Sequence, residues 1–147
     1  MSKLFQAFLS GIFFTFILDF FLFLGIFQNY IKPHEIDIYY NILFADNQNI
    51  FIYLLLSFLI GFIIIYVNNN KISAIILGTL FFLVSLTLFS GIGNSIGQTM
   101  LMTKNTTLKW KTYTYKGDIY YDGRDVITFY DYELDKIILL NKKEMKK

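Results

Sequence analysis

The chain has 147 residues and a formal net charge of +2, with 55% hydrophobic residues, 16% charged ones and no cysteine. Soluble domains run nearer a quarter charged, so lipid is the expected main solvent, and so small a net charge gives nucleic acid little to hold. The missing cysteines exclude disulfides, thiolate metal sites, iron–sulfur clusters and a cysteine nucleophile.

Met1-Ser2-Lys3 leads into a run of about two dozen apolar residues, Leu4 to Phe27. It is long enough to cross a bilayer and too long for a signal core, and no small-x-small cleavage pattern follows, so it reads as a retained helix. After it, Pro33, Glu35 and Asp37 precede Ile36, Tyr39, Tyr40 and Leu43. Proline and acids in a first turn predict an amphipathic interfacial helix over about 33–45. A second span is predicted at 50–67 and a third at 72–92, joined by a short polar linker that makes them an antiparallel hairpin. Tyr30, Tyr53 and Tyr66 lie near predicted span ends, where amphipathic rings favour the interface.

From Thr103 the pattern alternates with aromatic and β-branched residues. Strands are expected at Leu108–Tyr115, Asp118–Tyr121, Val126–Tyr130 and Lys136–Leu140, with turns at Lys116-Gly117 and Asp122-Gly123. The predicted architecture is therefore a membrane α-helical region, residues 1–102, with three transmembrane helices. A small all-β extramembrane domain of four to five short strands follows over 103–147. Its strand rhythm resembles an SH3-like or Sm-like barrel, a likeness that carries no function.

Ten of the thirteen basic and seven of the eleven acidic residues lie from Lys104 onward. Lys3 and Lys71 favour an inward N-terminus and second loop, and the loop holding Lys32, Glu35, Asp37 and Asp46 is not drawn inward. Lys104, Lys109 and Lys111 pull the other way, and the first helix decides for N-terminus inside and β domain outside. Abundant Phe, Ile, Asn, Lys and Tyr fit AT-rich coding, which points to a bacterial inner membrane, crossed in several passes.

Asp19 stands inside the first span with no Lys or Arg beside it, and intramembrane carboxylates mark sites. Thr15, one turn away, and Ser57 in span two are its expected hydrogen-bond partners, with Thr79, Ser85 and Thr87 behind them. The small-residue pairs containing Gly11, Gly61 and Gly78 predict close helix packing. Gly91, Gly93 and Gly97, in the glycine-rich stretch at the end of span three, predict a hinge or an unwound end. His34-Glu35-x-Asp37 lacks the second histidine of a zinc motif, and its acids read as a helix start. The tail carboxylates lie mostly at turns, so no metal site and no cofactor are expected. Its tyrosines alternate with basic residues, but balancing acids argue against nucleic acid and for a membrane-surface or protein contact.

No catalytic constellation is visible, so the expectation is a non-enzymatic membrane protein. Its partners would be the bilayer and either a foreign membrane protein or a second copy of the chain. It would serve as an accessory or assembly subunit of a larger membrane complex. The alternative is a homo-oligomeric ion or proton pathway with Asp19 side chains around an axis.

Overall fold

A computed structural model of the protein describes residues 2–67, 69–111 and 113–145. Helix α1, Lys3–Ile26, starts at Ser2, whose side chain accepts from the Phe5 N–H. It continues through one π-helical turn, Phe27–Ile31. At 1.5 Å per residue these 29 residues reach about 43 Å, well beyond a hydrocarbon core of about 30 Å.

Pro33 does not open a helix. The Glu35 N–H donates to the Lys32 carbonyl and the Ile36 N–H to the Ile31 carbonyl, with Glu35 at φ 53°. This is the left-handed cap that closes helices, with a glutamate where glycine is usual and the apolar pair Ile31–Ile36 beside it. The proline therefore belongs to the last turn of the preceding helix. In place of the helix expected over 33–45, the helix α2 is shorter and later and spans Tyr40–Asn47.

Helix α3, Ile50–Tyr66, follows an 85° bend at Gln48 and Asn49, and the Asn49 side chain caps it by accepting from Phe51 and Ile52 N–H groups. Asn69 caps α4, Asn70–Ser85, in the same way, and a 3₁₀ turn, Leu86–Leu88, extends it. The third span expected at 72–92 thus ends at Leu88, and the glycine-rich run forms a separate helix, α5, Ser90–Leu101. Lys3–Ile31 and Asn70–Leu88 are each long and apolar enough to cross a membrane, and α2 with α3 makes a third candidate if the bent pair counts as one.

Four strands follow: β1 Thr103–Trp110, β2 Tyr113–Asp122, β3 Val126–Asp131 and β4 Lys136–Asn141. They pair antiparallel in the order β1-β2-β3-β4, a meander with β1 and β4 at its edges among the described residues. The expected strand Leu108–Tyr115 instead straddles the end of β1 and the start of β2, and Lys111 adopts φ 56° between them. Gly117, expected in a turn, lies inside β2, where a Cβ would stand 1.8 Å from the Tyr130 carbonyl oxygen. One face of the sheet rolls around Ile127, Phe129 and Leu140, with Trp110, Tyr115 and Met145 packed on them.

The other face joins the helices. Phe23, Ile26, Tyr30 and Ile31 from the far half of α1, Ile36, Leu43 of α2 and Tyr121 of β2 form one buried cluster, with Ile96 and Leu101 of α5 against it. The β unit therefore shares a core with the end of the first helix.

Candidate functional site

The α1–α3 crossing sets the level of everything else. A Cβ on Gly11 would lie 1.7 Å from the Ser57 carbonyl oxygen, and one on Gly61 would lie 2.0 Å from that of Ala7. Only hydrogen fits at either place, so the backbones touch over two turns. Contact of 61 with 7 and of 57 with 11 makes the helices antiparallel. Extrapolating along both brings the start of α3 level with Asp19.

There Gln48, held in the bend between α2 and α3, donates from Nε2 to Asp19 Oδ2 at 2.8 Å. Two tyrosines fasten the same region: Tyr40 donates to the Phe20 carbonyl at 2.9 Å and Tyr53 to that of Ile12 at 3.0 Å. The rings of Phe44 and Tyr40 meet Phe16, Phe23 and Phe20 edge to face. Helix α2 thus lies across the middle of α1.

The residues expected around Asp19 divide. Thr15 and Ser57 are fully buried, and neither hydroxyl has a hydrogen-bond partner among the described residues, so neither serves Asp19. Thr87 donates to Val84 and Phe21 carbonyls and Ser85 to that of Phe81. Gln48 is the partner that spacing within the spans could not supply. Its clue was its place in the polar run Asn47-Gln48-Asn49, because an antiparallel α3 shorter than α1 brings that run down beside the middle of α1.

Among the described residues, Gly78 and Gly91 have no atom beyond their own local helix backbone and chain neighbours within 4 Å of an added Cβ, so Gly78 makes no close helix approach there. Gly93 and Gly97 lie on regular helix, where added Cβ atoms would meet the Thr87 carbonyl oxygen at 2.2 Å and Tyr30 Cβ at 2.4 Å. They seat α5 against the π-helical turn and form no unwound end. Gly25, unmarked in the sequence, is equally tight against Thr87.

A second constellation ties the sheet to the helices. The buried Tyr30 hydroxyl donates to the Tyr120 carbonyl at 2.7 Å. Asn47 donates to the Tyr121 hydroxyl at 3.3 Å, and Arg124 grips Asp46 through two of its nitrogens. Burial pushes the Tyr121 hydroxyl above its ordinary pKa, against the opposing Asn47 contact. A cleft of about 360 Å³ opens between Tyr39 and Ile42 on one side and Val126 and Leu139 on the other. Tyr39 and Leu139 stand largely exposed, 77% and 60%.

The acids of this region are engaged locally. The Asp131 carboxylate accepts from the Glu133 and Leu134 N–H groups, Asp118 accepts from the Asn105 N–H and the Tyr132 hydroxyl, and Tyr130 donates to Asp135. These carboxylates hold both tyrosine hydroxyls above their ordinary pKa. His34 points Nδ1 at the Tyr30 carbonyl, 2.7 Å away. Among the described residues no three of His, Cys, Asp and Glu gather into a group able to hold a metal ion.

Comparison with protein families, characterised proteins and solved structures found no match. The chemistry of these two constellations therefore stands alone as the guide to function.

Proposed function

We propose that the chain is a three-span membrane protein whose β unit, seated on the end of the first helix, makes protein contacts at one membrane surface. It then acts as a non-catalytic accessory or assembly subunit of a larger membrane complex. The observation that carries the anchoring is where apolar side chains remain exposed. On α1 the large exposed ones run from Leu4 to Phe20 and stop, whereas α3 and α4 expose them from Ile50 to Tyr66 and from Ile72 to Leu88. Beyond Phe20 the equally apolar α1 is sheathed by α2, α5 and β2.

That pattern supports a bilayer spanning α3, about 25 Å long at 1.5 Å per residue, with Asp19 and Gln48 at one border. A carboxylate at the border costs far less than one at the midplane. Its pairing with Gln48 supports a structural role, a polar lock between α1 and the α2–α3 bend. The ion-pathway alternative needs the same carboxylate facing an axis within the hydrocarbon. Docking falls to exposed apolar and aromatic side chains outside the belt, Leu139, Leu134 and Tyr132 of the β unit and Tyr39 at the start of α2.

In this arrangement the N-terminus and the loop after α3 share one side, with Lys3 and Lys71. The β unit lies on the other, and the positive charges favour the first side as the cytoplasm. Purification of the tagged protein in a gentle detergent, followed by native mass determination, tests the reading. A stoichiometric foreign subunit is the expected result. A clean homo-oligomer whose liposome flux is abolished by Asp19→Asn would replace it with the ion pathway.

A further inference from the structure

The two edges of the sheet are built differently. Along β1 the pairing register slips between Thr103 and Thr106, Asn105 takes φ 52°, and Lys104 and Lys109 project from the strand. A bulge, a kink and lysines are the devices that keep an edge from acquiring another strand. Edge β4 has neither bulge nor kink, and after its first residue, Lys136, the apolar run Ile137, Ile138, Leu139 and Leu140 follows without a break.

The Lys142 N–H donates to the Asp125 carbonyl at 2.9 Å. In an antiparallel ladder, hydrogen-bonded pairs alternate, so Ile127–Leu140 and Phe129–Ile138 are the bonded pairs in this register. The backbone groups of Ile137, Leu139 and Asn141 then point away from β3. Among the described residues no strand pairs with that outer edge. Ile138 and Leu140 turn inward to the rolled core, while Ile137 and Leu139 on the opposite face remain 36% and 60% exposed.

We propose that the outer edge of β4 receives an extended segment of another protein as a fifth strand. This rests on the partner-presenting reading above and names its site. Alternate apolar side chains of the incoming segment cover Ile137 and Leu139 and reach the cleft beside Tyr39 and Val126. Acidic ends suit it, because the exposed Lys136 and Lys143 flank the edge.

A second copy fits poorly. Strand β2 descends from Tyr120, bonded to Tyr30, to the turn at Arg124, bonded to Asp46 on α2, so the strands run roughly along α1. Two copies in one bilayer are related by a two-fold axis along the membrane normal, which sets their β4 strands parallel. Like residues then face each other, and a parallel ladder requires an outward-pointing residue to face one that points away. No such ladder closes.

The test uses the full chain in lipid nanodiscs and a synthetic peptide of alternating valine and threonine with a glutamate at each end. Amide hydrogen exchange is read along the sheet. The peptide is expected to slow exchange at Ile137, Leu139 and Asn141 at least tenfold and to leave β1 unchanged. An analogue with proline at its centre is expected to do neither. Leu139→Pro removes only an outward N–H, which an edge strand tolerates, and is expected to weaken peptide binding at least tenfold while Ile127 and Phe129 amides stay protected. Leu139→Lys, which keeps the N–H, supplies the second variant should the proline disturb folding, and is expected to weaken binding in the same direction. No protection at millimolar peptide, equal protection along β1, or protection without peptide that grows with protein concentration would overturn the proposal. Any of these leaves the foreign subunit sought by native mass to be found or missed independently.

Discussion

The two halves of α1 have nearly the same composition and opposite surroundings. From Leu4 to Asp19 the helix touches α3 through small residues and leaves Leu4, Phe5, Phe8, Leu9, Phe13 and Phe16 exposed. Beyond Phe20, as far as Ile31, it is wrapped, with Phe23, Ile26, Tyr30 and Ile31 buried among α2, α5 and β2. Apolar length records only that water must be excluded. It does not say whether lipid or protein does the excluding.

The sharpest way to break the first half is Gly11→Leu, which drives a side chain into the Ser57 carbonyl. Overpacking alone costs about 1–3 kcal/mol. Here the obstacle is backbone, so α1 and α3 are expected to part, and a cysteine pair placed across the crossing should cease to crosslink. Gly78→Leu is the control, expected to be silent in the isolated chain because its surroundings are open.

Tyr30→Ala breaks the second half. Truncating a fully buried aromatic costs about 3–5 kcal/mol, and the hydroxyl that holds the Tyr120 carbonyl is lost with it. Limited proteolysis is expected to cut the β unit free while the α1–α3 crosslink persists, a separation that would show the halves to be distinct.

At their boundary, Gln48→Leu leaves the Asp19 carboxylate without its partner. The loss of one such contact costs about 1–3 kcal/mol. Destabilisation measured by thermal denaturation in detergent should shrink in Asp19→Asn/Gln48→Leu relative to the sum of the single changes. Additive effects would mean that the pair is not coupled.

The smallest effects lie at the surface of the β unit. Arg124→Ala removes a surface ion pair with Asp46 and is expected to lower the denaturation midpoint only slightly, and less at high salt. The Tyr130 and Tyr132 hydroxyls, raised by donating to Asp135 and Asp118, contribute stability that is complete below about pH 10. It declines as pH rises through their raised values. A pH series of denaturation midpoints should show this decline in the parent and a weaker one in Tyr130→Phe/Tyr132→Phe.

Much of this comparison was legible in the sequence, and its failures share a cause. The spacing of Ala7 with Gly11 and Ser57 with Gly61 was visible at once, although only the structure shows which helix each faces. Gln48, the partner of Asp19, escaped a reading that took Leu4 to Phe27 as one span by itself. The structure puts the level of α3 against only its first half, a relation between segments that no single window contains. Pro33 with its acids imitated a helix start because local rules assign those residues to first turns, whereas a glutamate in the left-handed cap is uncommon. Gly117 imitated a turn because the close approach of Tyr130 that requires a glycine is also a tertiary fact.

The depth of α1 in the bilayer tests the account most directly. The absence of native cysteine lets single cysteines at Phe5, Phe13, Phe20 and Gln28 carry spin labels in nanodiscs, read by accessibility to oxygen and to a water-soluble nickel reagent. Lipid exposure is expected to peak at Phe13, fall at Phe20 and give way to water at Gln28. A maximum near Phe20, with Gln28 alone at the water boundary, would return Asp19 to the bilayer interior and contradict the division of the helix.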